Sequence, residues 1–466
     1  ASKVDPEFLG KLAIYGRTKG YMKDVPAFLT AMLSVRSPEV FQKVFPRVID
    51  NGKMVRVFTR MIRSGEIGRS SLASAPARAI KCWLDAQTDD QLFKQSYGKD
   101  PSIADVIRLV HAKPRTEERQ ALYRYLLGYD EYDAAKLPQV LQHLKEFRRK
   151  DRTDTPKVPF MFLTSLDLTP EQWKDIARNA TWQTTRMNLN TFKRHGVLDD
   201  PEMVELIARR LSNPQLVQSE GTRAFPYQLL AAYKFMDKDI PVAIRMAIHD
   251  AMEVATRNVP ELEGNVVLCP DVSGSMTFNP VTGQKKDAPS NIMAVDAAAL
   301  MTASILRKSP QARVLPFHSR VVDLDLEPRD TVMTNANKIA DVGGGATYMS
   351  KPLELLNERS VDVDTVIFIS DLESWVDSEG RKVSPDACSS DATALMEQWR
   401  KLRSRNPEAK MVCIDVSTGN TTQAPEREDV LNIGGFSDNV FPLVADFVAG
   451  RMDRKHWLKT IEEVEL

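Results

Sequence analysis

The spacing of apolar residues changes character once along these 466 residues, and that change calls for two unlike architectures in one chain. Up to about Asn258 apolar side chains recur every three or four positions, the spacing of a helix with one buried face. The segments 25–35, 39–49, 54–62, 75–84, 104–110, 118–127, 137–147, 171–179, 201–211, 227–235 and 241–257 all read this way. Short Gly, Pro, Asp or Ser breaks separate them, often with proline at the first turn, where its missing N–H costs little. Short helices in succession predict an all-α, HEAT-like repeat array, in which each pair buries one face against its neighbours and the curvature yields an arc or ring. No strict sequence repeat accompanies the pattern.

From residue 258 to 265 the run Asn-Val-Pro-Glu-Leu-Glu-Gly-Asn interrupts the helical spacing and leads into a different rhythm. Short β-branched runs at 266–269, 312–317, 365–369 and 411–416 alternate with amphipathic stretches at 292–308 and 391–403. This is the βαβ signature of a doubly wound, Rossmann-like parallel sheet with helices on both faces. The predicted domains are therefore 1–258, helical, and 259–466, α/β.

The two halves differ in charge as well. The net charge is zero, but residues 1–258 hold 41 Lys and Arg against 31 Asp and Glu, and the remainder holds 22 against 32. The whole positive surplus sits in the first 150 residues, which fits a polyanionic partner; the plainer reading is a solvated helical face. Four widely spaced cysteines, Cys82, Cys269, Cys388 and Cys413, form no CxxC pair, so neither a disulfide framework nor a zinc knuckle is indicated and a reducing cytoplasm is expected. No apolar run approaches the roughly 20 residues that span a bilayer, and no signal-peptide pattern opens the chain. It starts Ala1-Ser2-Lys3 without methionine, so a leader or further N-terminal residues are expected ahead of it.

The sharpest chemical signal follows the first predicted strand, in Cys269-Pro270-Asp271-Val272-Ser273-Gly274-Ser275. An Asp-x-Ser-x-Ser turn sends three oxygen-bearing side chains toward one point, the ligand type that hard cations take. Alone it is a common polar turn that usually binds nothing. Here Gly343-Gly344-Gly345-Ala346-Thr347 and Phe368-Ile369-Ser370-Asp371 follow in order, and both are expected at the sheet's carboxyl edge, where open α/β sheets bind ligands.

This constellation resembles the metal-ion-dependent adhesion site of von Willebrand factor A domains, over roughly residues 265–452. The resemblance implies that Asp271, Ser273, Ser275, Thr347 and Asp371 hold a divalent metal ion, Mg²⁺ first, with Mn²⁺ or Ca²⁺ as alternatives. It also implies one open coordination position for an acidic side chain of a protein partner. Metal-assisted hydrolysis needs a general base, and the nearby candidates are Glu373, read as a group behind the ligands or at the surface, and His318, read as a structural or loop histidine.

In the helical half, Gly68-Arg69-Ser70-Ser71, the stretch from Asp100 to Pro114, and Ala224-Phe225-Pro226-Tyr227-Gln228 resemble the TROVE module of the Ro autoantigen family. There a ring of helical repeats precedes a von Willebrand A domain, so the two resemblances together cover nearly the whole chain. Members carry further helical sequence before the point matching Ala1, which helps close the ring. The family implies binding of Y RNA on the basic outer face and of single-stranded 3′ ends of misfolded or structured noncoding RNAs in the central hole. It also implies, for bacterial members, cooperation with polynucleotide phosphorylase tethered through Y RNA.

For RNA contact the candidates are Lys94, Lys99, Arg108, His111 and Lys113, with Arg69, Arg78 and Lys81 as neighbours. Each also reads as an ordinary solvent-facing charge, and His111 as a helix cap. A second polar cluster contains Arg186, Asn188, Asn190, Lys193, Arg194 and His195; Asn190 and Arg194 would read or hold RNA, or the cluster forms an interhelical polar seam. Trp173 and Trp182, at helical spacing, read as core. Two other functions compete with RNA capture. One is a metal-dependent adhesion or scaffold module without RNA binding, and the other is a metal-dependent nuclease, for which the basic half shows no acidic cluster at a two-metal spacing.

Overall fold

The computed structural model describes residues 4–20, 22–72, 74–218, 224, 226–281, 292–371, 394–417, 424–425, 427–435, 440–452 and 456–466. Phe225, Glu373, Cys388 and residues 391–393 lie outside the described residues. The chain forms two compact units, Ala1–Ile176 with Lys455–Leu466, and Ala177–Arg454.

The first unit is all helical. Helices Pro6–Thr18, Asp24–Arg36, Pro38–Val48 and Gly52–Arg63 pack on one another, and two of them start on proline. Their shared core is aromatic: Phe41, Phe45 and Phe58 meet at centroid distances of 5.2 to 6.0 Å. Helices Ser74–Ala86, Asp89–Gln95, Ile103–Val110, Glu117–Leu127 and Gln139–Arg149 continue the array. The last helix of the chain, His456–Glu462, returns to this unit, where Trp457 meets Tyr15 edge-on at 6.1 Å. Gly10 faces this return segment, and a Cβ there would lie 3.0 Å from Leu466 Cδ2.

The motif from Asp100 to Pro114 builds one well-capped helix. Ser102 Oγ accepts from Asp105 N at 3.1 Å, while Asp105 Oδ2 accepts from Ser102 N at 2.9 Å, a reciprocal capping box. His111 ends the helix in the left-handed conformation, φ 51°, with its N–H on Arg108 O. The Ser102 hydroxyl holds the Asp105 carboxyl below the usual carboxylate range, assisted by the nearby Arg108 guanidinium. Ser102→Ala removes the side-chain arm of the box and is expected to lower stability by about 1–2 kcal/mol, measured by denaturant unfolding.

The second unit opens with helices Trp182–Met187, Leu189–Arg194, Pro201–Ser212, Pro226–Lys234 and Val242–Ala255 and continues into a five-stranded parallel sheet. The strands are β1 Val266–Pro270, β2 Arg313–Val314, β3 Thr365–Ser370, β4 Lys410–Asp415 and β5 Val430–Gly434, in the order β2-β1-β3-β4-β5. β1 and β3 are buried along their whole length, as strands covered on both faces must be. Val267, Cys269, Val366, Phe368, Met411 and Cys413 share a core with Leu353, Leu356, Trp399 and Leu402 of helices Ser350–Glu358 and Ala394–Arg405.

Helix Ala294–Lys308 packs against β1 and β3, with thirteen of its fifteen residues buried. Helices Pro226–Lys234 and Val332–Ala340 also pack on it. Two ion pairs join it to the helical segment, Lys234 Nζ to Asp296 at 3.0 Å and Arg307 to Glu253 at 3.2 Å. The change from helix to sheet between residues 258 and 266 therefore falls inside the second unit.

Candidate metal centre and nucleic-acid interface

The connections that leave β1 and β3 run in opposite directions, to β2 and to β4, and the carboxyl ends of β1 and β3 lie side by side. That crevice is where the backbone delivers Asp271 and Asp371, each one residue past its strand. Asp271 N donates to Ile369 O at 2.9 Å, and Val272 N to Phe317 O at 2.9 Å, so the ends of three segments fix the turn.

The structure brings all five candidate ligands together. Ser273 N donates to Asp271 Oδ1 at 2.8 Å, Thr347 Oγ1 donates to Ser273 Oγ at 2.8 Å, and Ser273 Oγ lies 3.3 Å from Ser275 Oγ. Asp371 enters through its neighbours: its N–H donates to Met276 Sδ at 3.2 Å and its Oδ2 accepts from Asn279 Nδ2 at 3.2 Å. Asp271, Ser273 and Asp371 are almost wholly buried, and Thr347 is 8% exposed. Burial pushes the Asp271 carboxyl up to about 6; hydrogen bonds from Ser370 and Ser273 oppose the rise and the Asp371 carboxylate adds to it. Two buried carboxylates beside three hydroxyls form an all-oxygen set whose mutual repulsion a divalent cation relieves, so the residues fit a hard metal ion.

Two contributors escaped the motif reading. Ser370 Oγ donates to Asp271 Oδ2 at 2.6 Å, although Ser370 reads from sequence only as the last strand residue. Asn279 stands outside the Asp-x-Ser-x-Ser run and reaches Asp371 after one turn of helix, Gly274–Phe278.

The glycine run has a physical reason. Gly343, Gly344 and Gly345 all have positive φ, and a Cβ on Gly345 would lie 2.7 Å from His318 Nδ1. Gly345 O accepts from Gly274 N and Gly344 N donates to Val272 O, so this backbone holds the two ligand loops together. His318 is structural in this setting, its Nδ1 accepting from Ser319 N at 2.7 Å. Gly345→Ala is expected to displace the His318 ring and lower stability by about 1–2 kcal/mol, seen as a reduced melting temperature.

The basic candidates fall into different situations. Arg78 and Lys81 lie on helix Ser74–Ala86, which packs on Ile103–Val110, the helix of Arg108. Lys94 lies on Asp89–Gln95, with Lys99 in the following turn and Lys113 beyond the His111 cap. Arg78, Lys99, Arg108, His111 and Lys113 are exposed, and Lys81 and Lys94 half-buried. Arg108 also pairs with Asp105 at 3.3 Å and donates to Leu127 O at 2.7 Å.

Arg69 is turned inward, its guanidinium donating to Ser34 O at 3.1 Å and Ser34 Oγ at 2.6 Å. In the second unit Arg194 is exposed. Asn190 instead joins helices, donating to Phe235 O at 2.7 Å and accepting from Asp237 N at 3.1 Å, as a polar seam does. Trp173 and Trp182 are core, each 3% exposed.

Residues 265–448 match the family model described as the Ro60 vWA domain. The RNA-binding protein RO60 of Deinococcus radiodurans is 26% identical over 373 residues, covering 75% of this chain and 66% of that protein, just under two thirds of its length. The crystal structure of the Deinococcus radiodurans RO (RSR) protein superposes with a TM-score of 0.67 at 20% identity, covering 95% of this chain and 91% of that one. At that identity the superposition establishes a shared fold.

Proposed function

Because the chain belongs to the Ro family, we propose that it is a non-catalytic RNA-binding component of a ribonucleoprotein. On this reading it binds Y RNA and the single-stranded 3′ ends of misfolded or structured noncoding RNAs in the cytoplasm. The observation that carries the proposal is the similarity, over 75% of the chain, to a protein named for RNA binding. The exposed cations Arg78, Lys99, Arg108 and Lys113, on or beside packed helices of the first unit, supply the phosphate contacts. Cleavage belongs to a partner nuclease, polynucleotide phosphorylase, recruited through Y RNA.

Asp271, Ser273, Ser275, Thr347 and Asp371 would hold Mg²⁺, or Mn²⁺ or Ca²⁺, which when bound offers a coordination position to an acidic side chain of a protein partner. The chain's own residues orient that contact: Ser370 and Ser273 fix the Asp271 carboxyl, and Asn279 fixes Asp371.

Gel shift with a Y-like stem RNA and with a structured RNA bearing or lacking a single-stranded 3′ tail tests the proposal. The Y-like RNA is expected to bind, and the tailed RNA to bind more tightly than its blunt counterpart. Failure of all three RNAs to bind would leave a metal-dependent protein-interaction module without RNA binding.

A further inference from the structure

One aromatic side chain of the first unit is set apart by its surroundings. Tyr97 is 41% exposed in the turn after helix Asp89–Gln95. It is anchored edge-on by Phe162, with centroids 5.4 Å apart at 73°, and Phe162 in turn lies 5.0 Å from the buried Phe93. Such an anchor orients the ring while leaving part of it in water.

Three cations flank this turn. Lys94 precedes Tyr97 by three residues and Lys99 follows it by two. The third, Arg56, comes from helix Gly52–Arg63, and its guanidinium lies against Gly98: a Cβ on that glycine would fall 1.4 Å from Arg56 Nη1. The approach therefore requires glycine there, with φ +118°. Arg56 Nε donates to Gly52 O at 3.3 Å, and Gly52 N donates to Gln95 Oε1 at 2.6 Å, so helix start and turn are tied together. Among the described residues none of Arg56, Lys94 and Lys99 forms an ion pair.

Tyr129 makes the contrast. It is 56% exposed, but its cation Arg124 pairs with Glu131, and Asp130, Glu131 and Asp133 follow it. At Tyr97 one carboxylate, the exposed Asp100, stands against three cations, so an anionic ligand is disfavoured at Tyr129 and favoured at Tyr97.

We propose that Tyr97 stacks an unpaired RNA base, with Arg56, Lys94 and Lys99 neutralising the phosphates on either side of that nucleotide. This rests on the RNA-binding reading above and adds to it a stacking residue, Tyr97, and a phosphate contact, Arg56. A π-face with flanking cations is the arrangement by which proteins hold single-stranded nucleic acid without reading its sequence. The stacking part is insensitive to salt, and the phosphate part is not.

The test uses the full chain and a short single-stranded RNA carrying 2-aminopurine, followed by fluorescence and anisotropy across a salt series. Tyr97→Leu keeps apolar contact with Phe162 but removes the π-face, and Tyr97→Phe keeps both. Tyr97→Leu is expected to weaken binding roughly 5- to 100-fold with the salt slope unchanged. It should also abolish the 2-aminopurine quenching that wild type and Tyr97→Phe show. Lys99→Ala is expected instead to lower the slope by about one unit. If Tyr97→Leu binds within twofold of wild type while Lys99→Ala lowers the slope, stacking is refuted and RNA binding stands. If wild type binds no RNA at all, both readings fall.

Discussion

Asp271→Asn is expected to abolish Mg²⁺ binding, measured by isothermal titration, while the protein stays folded. Asparagine matches aspartate in size and can still accept from Ser273 N, but it removes one of two charges from an otherwise hydroxyl-lined set. Loss of a group that merely orients a ligand costs about 10–100-fold in metal affinity, and loss of a charged ligand costs more. The effect on stability separates a folding defect from a binding defect. Wild type should gain about 2.7 kcal/mol when Mg²⁺ is present at about 100 times its dissociation constant, by mass action. The variant should gain nothing at the same concentration. A variant that still shows the full Mg²⁺-dependent rise would remove Asp271 from the ligand set.

Replacing Lys94, Lys99 and Lys113 together by alanine is expected to have a comparably large effect on RNA. Removing one phosphate-neutralising cation lowers the slope of log affinity against log salt by roughly 0.7 to 0.9, so removing three should lower it by about two to three units. At low salt this corresponds to an affinity decrease on the order of 100-fold. Lys99 and Lys113 are exposed and Lys94 is half-buried at a helix end, so the melting temperature should barely move. Arg69→Ala should do the reverse: its guanidinium is engaged by Ser34, so stability falls and the salt slope stays. Anisotropy titrations and thermal melts on both variants separate the two roles.

Much of the architecture was legible because periodicity and burial agree. The helical spacing at 25–35, 39–49 and 54–62 corresponds to Asp24–Arg36, Pro38–Val48 and Gly52–Arg63, whose apolar faces enter one aromatic core. Short elements were not legible. Asp89–Gln95, Trp182–Met187 and Leu189–Arg194 span at most two turns, too few residues to display a period. β5, Val430–Gly434, escaped because as an edge strand it is buried at only some of its positions, with Asn432 and Gly434 breaking the apolar run.

Site residues followed the same logic. The placement of Asp271, Ser273, Ser275, Thr347 and Asp371 at one edge of the sheet was readable because each follows a strand end or a glycine run by at most five residues. Ser370 and Asn279 were not, since an ordinary strand serine and a loop asparagine acquire their roles only through contacts across 99 and 92 residues of sequence. Among the cations, charge alone could not separate Arg69, bonded inward, from Lys99, turned to water. The return of His456–Glu462 to the first helices was equally hidden, because pairing between opposite ends of a chain leaves no local pattern.

On the proposed function, the protein binds RNA electrostatically through its helical part and independently of its metal site. The most direct test is the affinity of the intact protein for a structured RNA with a single-stranded 3′ tail, measured across a salt series with Mg²⁺ and again with EDTA. Tight binding at low salt, a steep linear fall of log affinity with log salt, and binding that persists in EDTA are expected. Affinity that is flat with salt, or that disappears with EDTA, would contradict the proposed function.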